Sequence, residues 1–291
     1  QEQVSEVKNK TTKTSYHLSK TSKILLTSEA GAKVSPQPNL IFVQGQAQGK
    51  VITIRPDIIK QNILGIGTSF TESSAFVLAH LSKEKRAEVM ENIYGETGAN
   101  FSIARTHIGA TDFAVDGKYS YAPVKDDVEL SSFSISVDQD GFKQQEHAGI
   151  KDEQFDLLPM IKQAYEIKSK QSDKELRIIA SAWTAPPWMK TIEDWYIKPT
   201  PINNYQGTGG ELKSQYVSTY ADYLVKYLDA YKKEGIDIWG LTPVNEPHGN
   251  SGQWESMHFT PKTQSTFIKN HLGPKLKASA HEEVKLLIYD Q

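Results

Sequence analysis

One glutamate in the sequence stands where its carboxyl group could transfer protons in a fixed direction. The triplet Asn245-Glu246-Pro247 follows a short apolar run, and the proline behind Glu246 stiffens the backbone that carries it. A carboxyl group held in one direction is what general acid/base catalysis requires. The amide of Asn245 could bond a substrate hydroxyl group. Taken alone, such a triplet fits a solvated loop glutamate equally well.

Polar residues also follow other short apolar runs. Arg105 and His107 end one run and are followed by Asp112, Trp183 follows another, and Asp290 ends the last. If these runs are neighbouring parallel strands, their polar ends meet at one edge of the sheet. Structural roles are open as well: Arg105 could form an internal salt bridge, and a lone histidine is more often structural than a ligand.

The elements that would place these residues alternate between strand and helix. Helices are predicted after the N-cap candidate Ser82, around residues 158–165 and 216–231, and after Thr260-Pro261. The strand candidates are short and apolar on both faces, as in a buried parallel sheet. They are residues 63–70, 101–108, 176–182, 236–243 and 284–289.

This alternation predicts an α/β fold with a parallel sheet. The first strand candidate contains Gly65 and Gly67 but lacks the third glycine of a dinucleotide-binding loop and the Lys-Ser/Thr end of a phosphate loop, so a nucleotide-binding doubly wound sheet is the weaker choice. We expect a (β/α)8 TIM barrel of which only about the first five β/α units are present. A barrel needs eight strands, so a longer protein or another chain must supply the remainder.

Residues 1–60 have a different pattern. Short β-prone runs at residues 23–27, 40–43 and 51–55 are separated by turn-rich stretches. These runs predict a few strands of a small β-domain, which are too few to be stable alone.

The composition argues against several functions. The 33 Lys and Arg against 35 Asp and Glu give a net charge of -2, so no nucleic-acid partner is expected. There is no cysteine, and the eight histidines show no ligand spacing, so no metal or cofactor is predicted. No apolar run approaches the roughly 18 residues of a transmembrane segment. Because the chain has no cysteine and starts at Gln1, we expect a processed, secreted or periplasmic protein.

Four ordered blocks of the sequence resemble glycoside hydrolase family 30, the family of glucosylceramidases and β-1,6-glucanases. The blocks are residues 65–72, 105–113, 180–190 and 241–247, and the similarity runs from about residue 63 onward. The resemblance implies that residues 1–60 are strands of a β-sandwich domain. Residues 61–291 would then be the first part of the (β/α)8 catalytic barrel.

The resemblance also implies roles for single residues. Glu246 would be the catalytic acid/base, and Asn245 would bond the sugar 2-hydroxyl group. Trp183 and Asp112 would hold the glucose ring, the first by an indole wall and the second by its carboxylate. Arg105 would steady the carboxylate of the nucleophile.

The implied activity is that of a retaining β-glycosidase, which hydrolyses glucosylceramide-like β-glucosides or β-1,6-glucan through a glycosyl-enzyme intermediate. In this family the nucleophile is a second glutamate at the end of the seventh strand, beyond these residues. We therefore expect the 291 residues alone to be inactive and the complete protein to be active. The alternative is a non-catalytic carbohydrate-binding protein or pseudo-enzyme without the second carboxylate.

Further residues have structural interpretations. Trp188 is expected to pack under its loop, Glu72 to serve a helix N-terminus as readily as catalysis, and the tyrosines at 216, 220, 227 and 231 to form core. Residues 196–213 form a long loop that could wall the aglycone side of the substrate or be a mobile insertion. Residues 253–257 favour the glucosylceramidase branch.

Overall fold

The computed structural model describes residues 21–41, 43, 45–46, 48–53, 55, 57–115, 117–172, 175–248 and 252–290. The chain divides into two compact units, residues 1–61 and 62–291. The first unit carries the N-terminal strands, and the second carries every residue for which a site role was predicted.

The first unit contains a two-stranded antiparallel ladder. Strands β1 (Thr21–Leu26) and β2 (Ser35–Ile41) pair with Thr21 opposite Ile41 and Leu26 opposite Ser35. Strand β2 begins five residues before the predicted run at 40–43, through two prolines. Prolines are tolerated there because both strands of a two-stranded ladder are edges. The third predicted strand is wrong, since residues 51–53 and 55 are not in a strand and no described strand pairs with them.

The second unit is built on a five-stranded parallel sheet, which confirms the predicted α/β fold. Its strands lie side by side in chain order: β3 (Gly67–Phe70), β4 (Ile103–Ile108), β5 (Arg177–Ala182), β6 (Ile238–Thr242) and β7 (Lys285–Leu286). All five begin later than their apolar runs. This order, with helices between the strands, is that of five successive units of a (β/α)8 barrel, and β3 and β7 are its open edges.

The first strand is fixed by a glycine. A Cβ atom on Gly67 would lie 1.5 Å from the backbone oxygen of Ile103, its partner in β4, so only glycine allows this approach. Just before β3, the apolar side chains of Ile63, Leu64 and Ile66 are largely exposed. Their apolar character therefore extended the predicted strand beyond the residues that pair.

The helices lie between the strands, and side-chain caps set where most of them begin. They are α1 (Glu72–Ala79), α2 (Lys83–Tyr94), α3 (Leu157–Ser169), α4 (Val217–Lys233), α5 (Pro261–Phe267) and α6 (Gly273–Lys277). Ser82 accepts a hydrogen bond from the Lys85 N–H, and Thr260 forms a capping box before Pro261, as predicted. Helix α1 was not predicted, because its eight residues show no clear apolar stripe.

A tyrosine cluster fills the space under α4. The predicted core tyrosines are all buried: Tyr216, Tyr220, Tyr227 and Tyr231. Tyr223, which was not predicted, is buried with them. The carboxylate of Asp138 lies among these rings and accepts hydrogen bonds from the hydroxyls of Tyr121 (2.7 Å) and Tyr231 (2.8 Å). Burial raises the pKa of Asp138 from 3.8 to about 7, although the tyrosine hydrogen bonds act in the opposite direction.

Candidate functional site

Glu246 lies in the turn that follows β6, at the carboxyl end of the sheet. The preceding backbone N–H of Asn245 donates to the carbonyl of Ala182 at the end of β5, at 2.6 Å. Glu246 itself has a φ of +47°, a left-handed conformation that is unusual for a residue with a side chain. Its backbone N–H donates to Oδ1 of Asp290 at 2.8 Å, and Pro247 behind it is buried. The backbone of this glutamate is therefore held on both sides.

Arg105, near the end of β4, connects the ends of the neighbouring strands. Three oxygen atoms lie within hydrogen-bonding distance of its Nη2: Oδ1 of Asn245 (2.5 Å), Oδ2 of Asp290 (2.7 Å) and Oγ of Ser181 (2.9 Å). Because Asn245 accepts through Oδ1, its Nδ2 remains as a donor on the other side of the amide. Burial lowers the pKa of Arg105, while the charges of Asp290 and Glu246 act to raise it. The guanidinium is thus a cation in direct contact with Asp290 and under the electrostatic influence of Glu246.

Trp183 connects this arginine to Asp112. The Arg105 guanidinium carbon stands 4.6 Å from the centre of the Trp183 ring, a cation–π contact. The indole Nε1 donates to Oδ1 of Asp112 at 3.1 Å, which fixes the direction of that carboxylate. Trp183 is buried, whereas Asp112 is exposed. The five residues with predicted roles therefore form one connected group, joined through Arg105 and Asp290.

His107 and Glu72 have structural contacts. His107 is buried, its Nδ1 donates to the Gly109 carbonyl (2.9 Å), and its Nε2 accepts from the Glu72 N–H (3.1 Å). Burial lowers its pKa to about 4, so it is neutral near pH 7. Glu72 opens α1 after the N-cap Thr71, and its buried carboxylate accepts from the Val115 N–H. Both residues tie the first two strand ends together, in agreement with their structural interpretation.

The loop after β5 is internally hydrogen-bonded. Lys190 is completely buried, and its Nζ donates to the carbonyls of Trp195 (2.7 Å) and Ser256 (2.9 Å), which links this loop to the one after β6. Burial lowers the pKa of Lys190 to about 7. Within residues 196–213, Ile197 and Thr208 form an antiparallel bridge. This order favours a fixed wall over a mobile insertion.

Trp188 lies beneath this loop, as predicted. Its indole nitrogen donates to the carbonyl of Ala122 at 2.9 Å, and its ring packs edge-on against Tyr216. The side chain is buried, so it supports the loop from inside.

An open cleft of about 680 Å³ lies beside β3. Arg105, Trp183 and Phe113 contribute to its wall, but Glu246 and Asp112 do not. The cleft therefore does not enclose the whole group of polar residues. The cleft is open at β3 because no described strand pairs with the outer side of that strand.

Two partners of Arg105, Asp290 and Ser181, were not predicted from the sequence. Asp290 was recognised only as the end of the last apolar run, and Ser181 lies within the predicted strand at residues 176–182, with no role for either. Their signal was position alone: both lie where strands β7 and β5 reach the edge that carries Glu246.

The described part of the chain has neither a candidate metal-ion cluster nor a candidate membrane span. No group of three or more Asp, Glu or His side chains could hold a metal ion there. No helix among the same residues is long and apolar enough to cross a membrane.

Comparisons with known proteins agree on one family. Residues 63–291 match the model described as the glycosyl hydrolase family 30 TIM-barrel domain. Putative glucosylceramidase 3 of Caenorhabditis elegans is 31% identical over 246 residues, which are 82% of this chain and 41% of that protein. Lysosomal acid glucosylceramidase of Mus musculus is 30% identical, over 83% of this chain and 42% of the relative. An endo-1,6-beta-D-glucanase of Aspergillus fumigatus is also 30% identical, over 79% and 44%.

Solved structures show the same relationship. SrfJ from Salmonella typhimurium superposes with a TM-score of 0.63 at 25% identity, over 78% of this chain and 44% of that one. An endo-β1,6-glucanase superposes with a TM-score of 0.62 at 28% identity, over 81% and 46%. The chain thus spans less than half the length of these relatives.

Proposed function

Because the chain belongs to glycosyl hydrolase family 30, we propose that the full-length protein hydrolyses β-linked glucosides with retention of configuration. The reaction would pass through a glycosyl-enzyme intermediate, formed by one carboxylate while a second carboxyl group protonates the leaving oxygen. The observation that carries this proposal is the position of Glu246. It follows β6, next to the Asp290–Arg105 ion pair and at the sheet edge where barrel enzymes carry out their chemistry.

In this proposal Glu246 is the acid/base. It protonates the leaving oxygen in the first step and takes a proton from water in the second. Its partly exposed side chain is open to a substrate, while its backbone is fixed by Asp290. Fixing the backbone reduces the freedom that would otherwise be lost on reaching the transition state.

The neighbouring residues would hold the sugar ring. Asn245 directs Oδ1 to Arg105, which leaves its Nδ2 to donate to the 2-hydroxyl group. Trp183 supplies an aromatic wall, and Asp112, bonded to the indole nitrogen through Oδ1, keeps Oδ2 for ring hydroxyls. These are the groups that a retaining glycosidase needs around its reacting sugar.

We place the nucleophile beyond these 291 residues. Among the described carboxylates, the one that contacts Arg105 is that of Asp290. It follows the fifth strand of the sheet, not the seventh strand that carries the nucleophile in this family, and it bonds Arg105 and the Glu246 N–H. A carboxylate from a later strand would approach Arg105 from the open side, about 5–5.5 Å from Glu246 as retention requires. Arg105 would then also steady that carboxylate.

The substrate class follows from the relatives. Their names specify glucosylceramidases and endo-1,6-glucanases, so a β-glucoside is the common element. We propose that loops after the later strands choose between a lipid and a glucan aglycone. The ordered loop over residues 196–213 would form one fixed wall. The run at residues 253–257 favours the glucosylceramidase branch.

Two proposals concern the whole protein. Residues 1–60, with the ladder of β1 and β2, would be part of a β-sandwich completed by chain outside these residues. A location outside the cytoplasm is proposed from the cysteine-free composition, and cell fractionation with an antibody would test it.

The test of the proposed function is Glu246→Gln in the full-length protein. Hydrolysis of glucosylceramide or a β-1,6-linked glucan should slow by about 10²–10⁴-fold, the usual contribution of acid/base catalysis. The kcat/KM for 2,4-dinitrophenyl β-glucoside should change little, because that leaving group needs no proton. A wild-type protein that binds these glucosides but turns none over would instead support the carbohydrate-binding alternative.

A further inference from the structure

Asp290 joins Glu246 and Arg105 with a single carboxylate. Its Oδ1 accepts from the Glu246 backbone N–H (2.8 Å), and its Oδ2 pairs with Arg105 Nη2 (2.7 Å). The side chain is only 16% exposed, although it lies past the end of β7. One carboxylate therefore connects the proposed acid/base with the cation beside it.

The backbone of Glu246 needs such a partner. Its φ of +47° is in the left-handed region, which a residue with a Cβ atom keeps only when its surroundings hold it there. The direction of the Glu246 carboxyl group follows from that backbone conformation. A hydrogen bond to the N–H of the same residue is the most direct way to hold it.

We infer that Asp290 is the positioning residue of the acid/base: by accepting from the Glu246 N–H it holds Glu246 in its left-handed conformation. The inference rests on the proposed function. Asp290 acts through Glu246, from whose backbone N–H it accepts, and it is assigned no contact with the substrate. Its effect should therefore appear only in reactions that need a proton from Glu246.

Asp290→Asn is the sharpest variant, because it preserves shape. A carboxylate accepts at both oxygens, whereas an amide accepts at one and donates at the other. Asparagine can therefore satisfy Arg105 or the Glu246 N–H, but not both. Asp290→Ala removes both contacts and serves as the second variant. Asp222→Asn is the matched control and should leave all rates unchanged, because Asp222 of α4 forms a partly exposed ion pair with Lys275 of α6.

The experiment measures kcat/KM of the full-length variants on phenyl β-glucoside and on 2,4-dinitrophenyl β-glucoside. Asp290→Asn should lower the value for the phenyl glucoside by about 10- to 100-fold, the cost of a proton donor displaced by about 1 Å. The value for the dinitrophenyl glucoside should fall by less than about 3-fold. Combined with Glu246→Gln, Asp290→Asn should add no further loss on the phenyl glucoside, because its effect requires the acid.

Equal losses on both glucosides would overturn the inference, since they would indicate a general structural role. A double variant in which the two losses multiply would overturn it as well. If Glu246→Gln alone showed no dependence on the leaving group, the proposed function would fail instead, which separates the two failures. If thermal melting shows that Asp290→Ala does not fold, Asp290→Asn decides the question by itself.

Discussion

Replacing Asp138 with asparagine should remove a pH dependence of stability that comes from the tyrosine cluster. The carboxyl group is 2% exposed, and burial raises its pKa from 3.8 to about 7. Between these values the folded protein keeps a proton that the unfolded chain has released. The free energy of unfolding therefore falls as the pH rises from about 4 to about 7. The two pKa values differ by about three, and each unit corresponds to about 1.4 kcal/mol, so the fall is at most about 4 kcal/mol.

Urea denaturation of the full-length protein at several pH values between 4 and 8 measures this effect. The asparagine variant should lack the fall, so the difference between the two proteins should change by up to about 4 kcal/mol across the window. Tyr231→Phe removes a hydrogen bond that lowers the pKa of Asp138, so it should extend the fall to higher pH. Tyr227→Phe removes a hydroxyl from the same cluster and should not. Parallel curves for the wild-type and asparagine proteins would refute the reasoning.

Two further changes probe elements that position the site. Burial lowers the pKa of Lys190 from 10.5 to about 7, so its contribution to the free energy of unfolding should rise with pH across that range, where only the unfolded chain carries the proton. In Lys190→Met, urea denaturation should show no such rise of the free energy of unfolding with pH. Limited proteolysis of the loop after β5 should accelerate, because the bonds to Trp195 and Ser256 are lost. An unchanged pH dependence of the free energy of unfolding would contradict this. Gly67→Ala would place a Cβ atom 1.5 Å from a backbone oxygen of β4 and should cost about 3 kcal/mol or more, seen as a lower melting temperature. Gly45→Ala, with nothing within 4 Å, is the control, and equal melting temperatures would refute the steric argument.

Much of the second unit, residues 62–291, was predictable, because the sequence patterns that indicate its strands and helices are local. Parallel strands buried on both faces have to be apolar throughout, so each β/α unit was recognisable by an apolar run and a following polar loop. The caps at Ser82 and Thr260 marked two helix starts to the residue. The strand starts were placed too early, because pairing with a neighbour, and not apolarity, decides where a strand begins. For the same reason the run at residues 51–55 was wrongly predicted as a strand. Helix α1 was missed because its residues show no clear apolar stripe.

The candidate site, too, was predictable only in its local features. Residue types and places at strand ends gave a longer set of polar residues, because the carboxyl ends of parallel strands must share one edge. The resemblance to glycoside hydrolase family 30 selected Glu246, Asn245, Trp183, Asp112 and Arg105 from that set. Nothing local to these residues could indicate which atoms meet.

The sequence by itself determined which polar residues stand at the ends of apolar runs and which family the chain resembles, since residue type and apolar period are properties of short segments. The tertiary structure alone decided that the backbone N–H of Glu246, a residue in the left-handed conformation, donates to the carboxylate of Asp290, 44 residues further along the chain. It also decided that one arginine is shared by three strand ends. Such contacts depend on the register between strands that are distant in sequence, and no pattern within a single strand encodes that register.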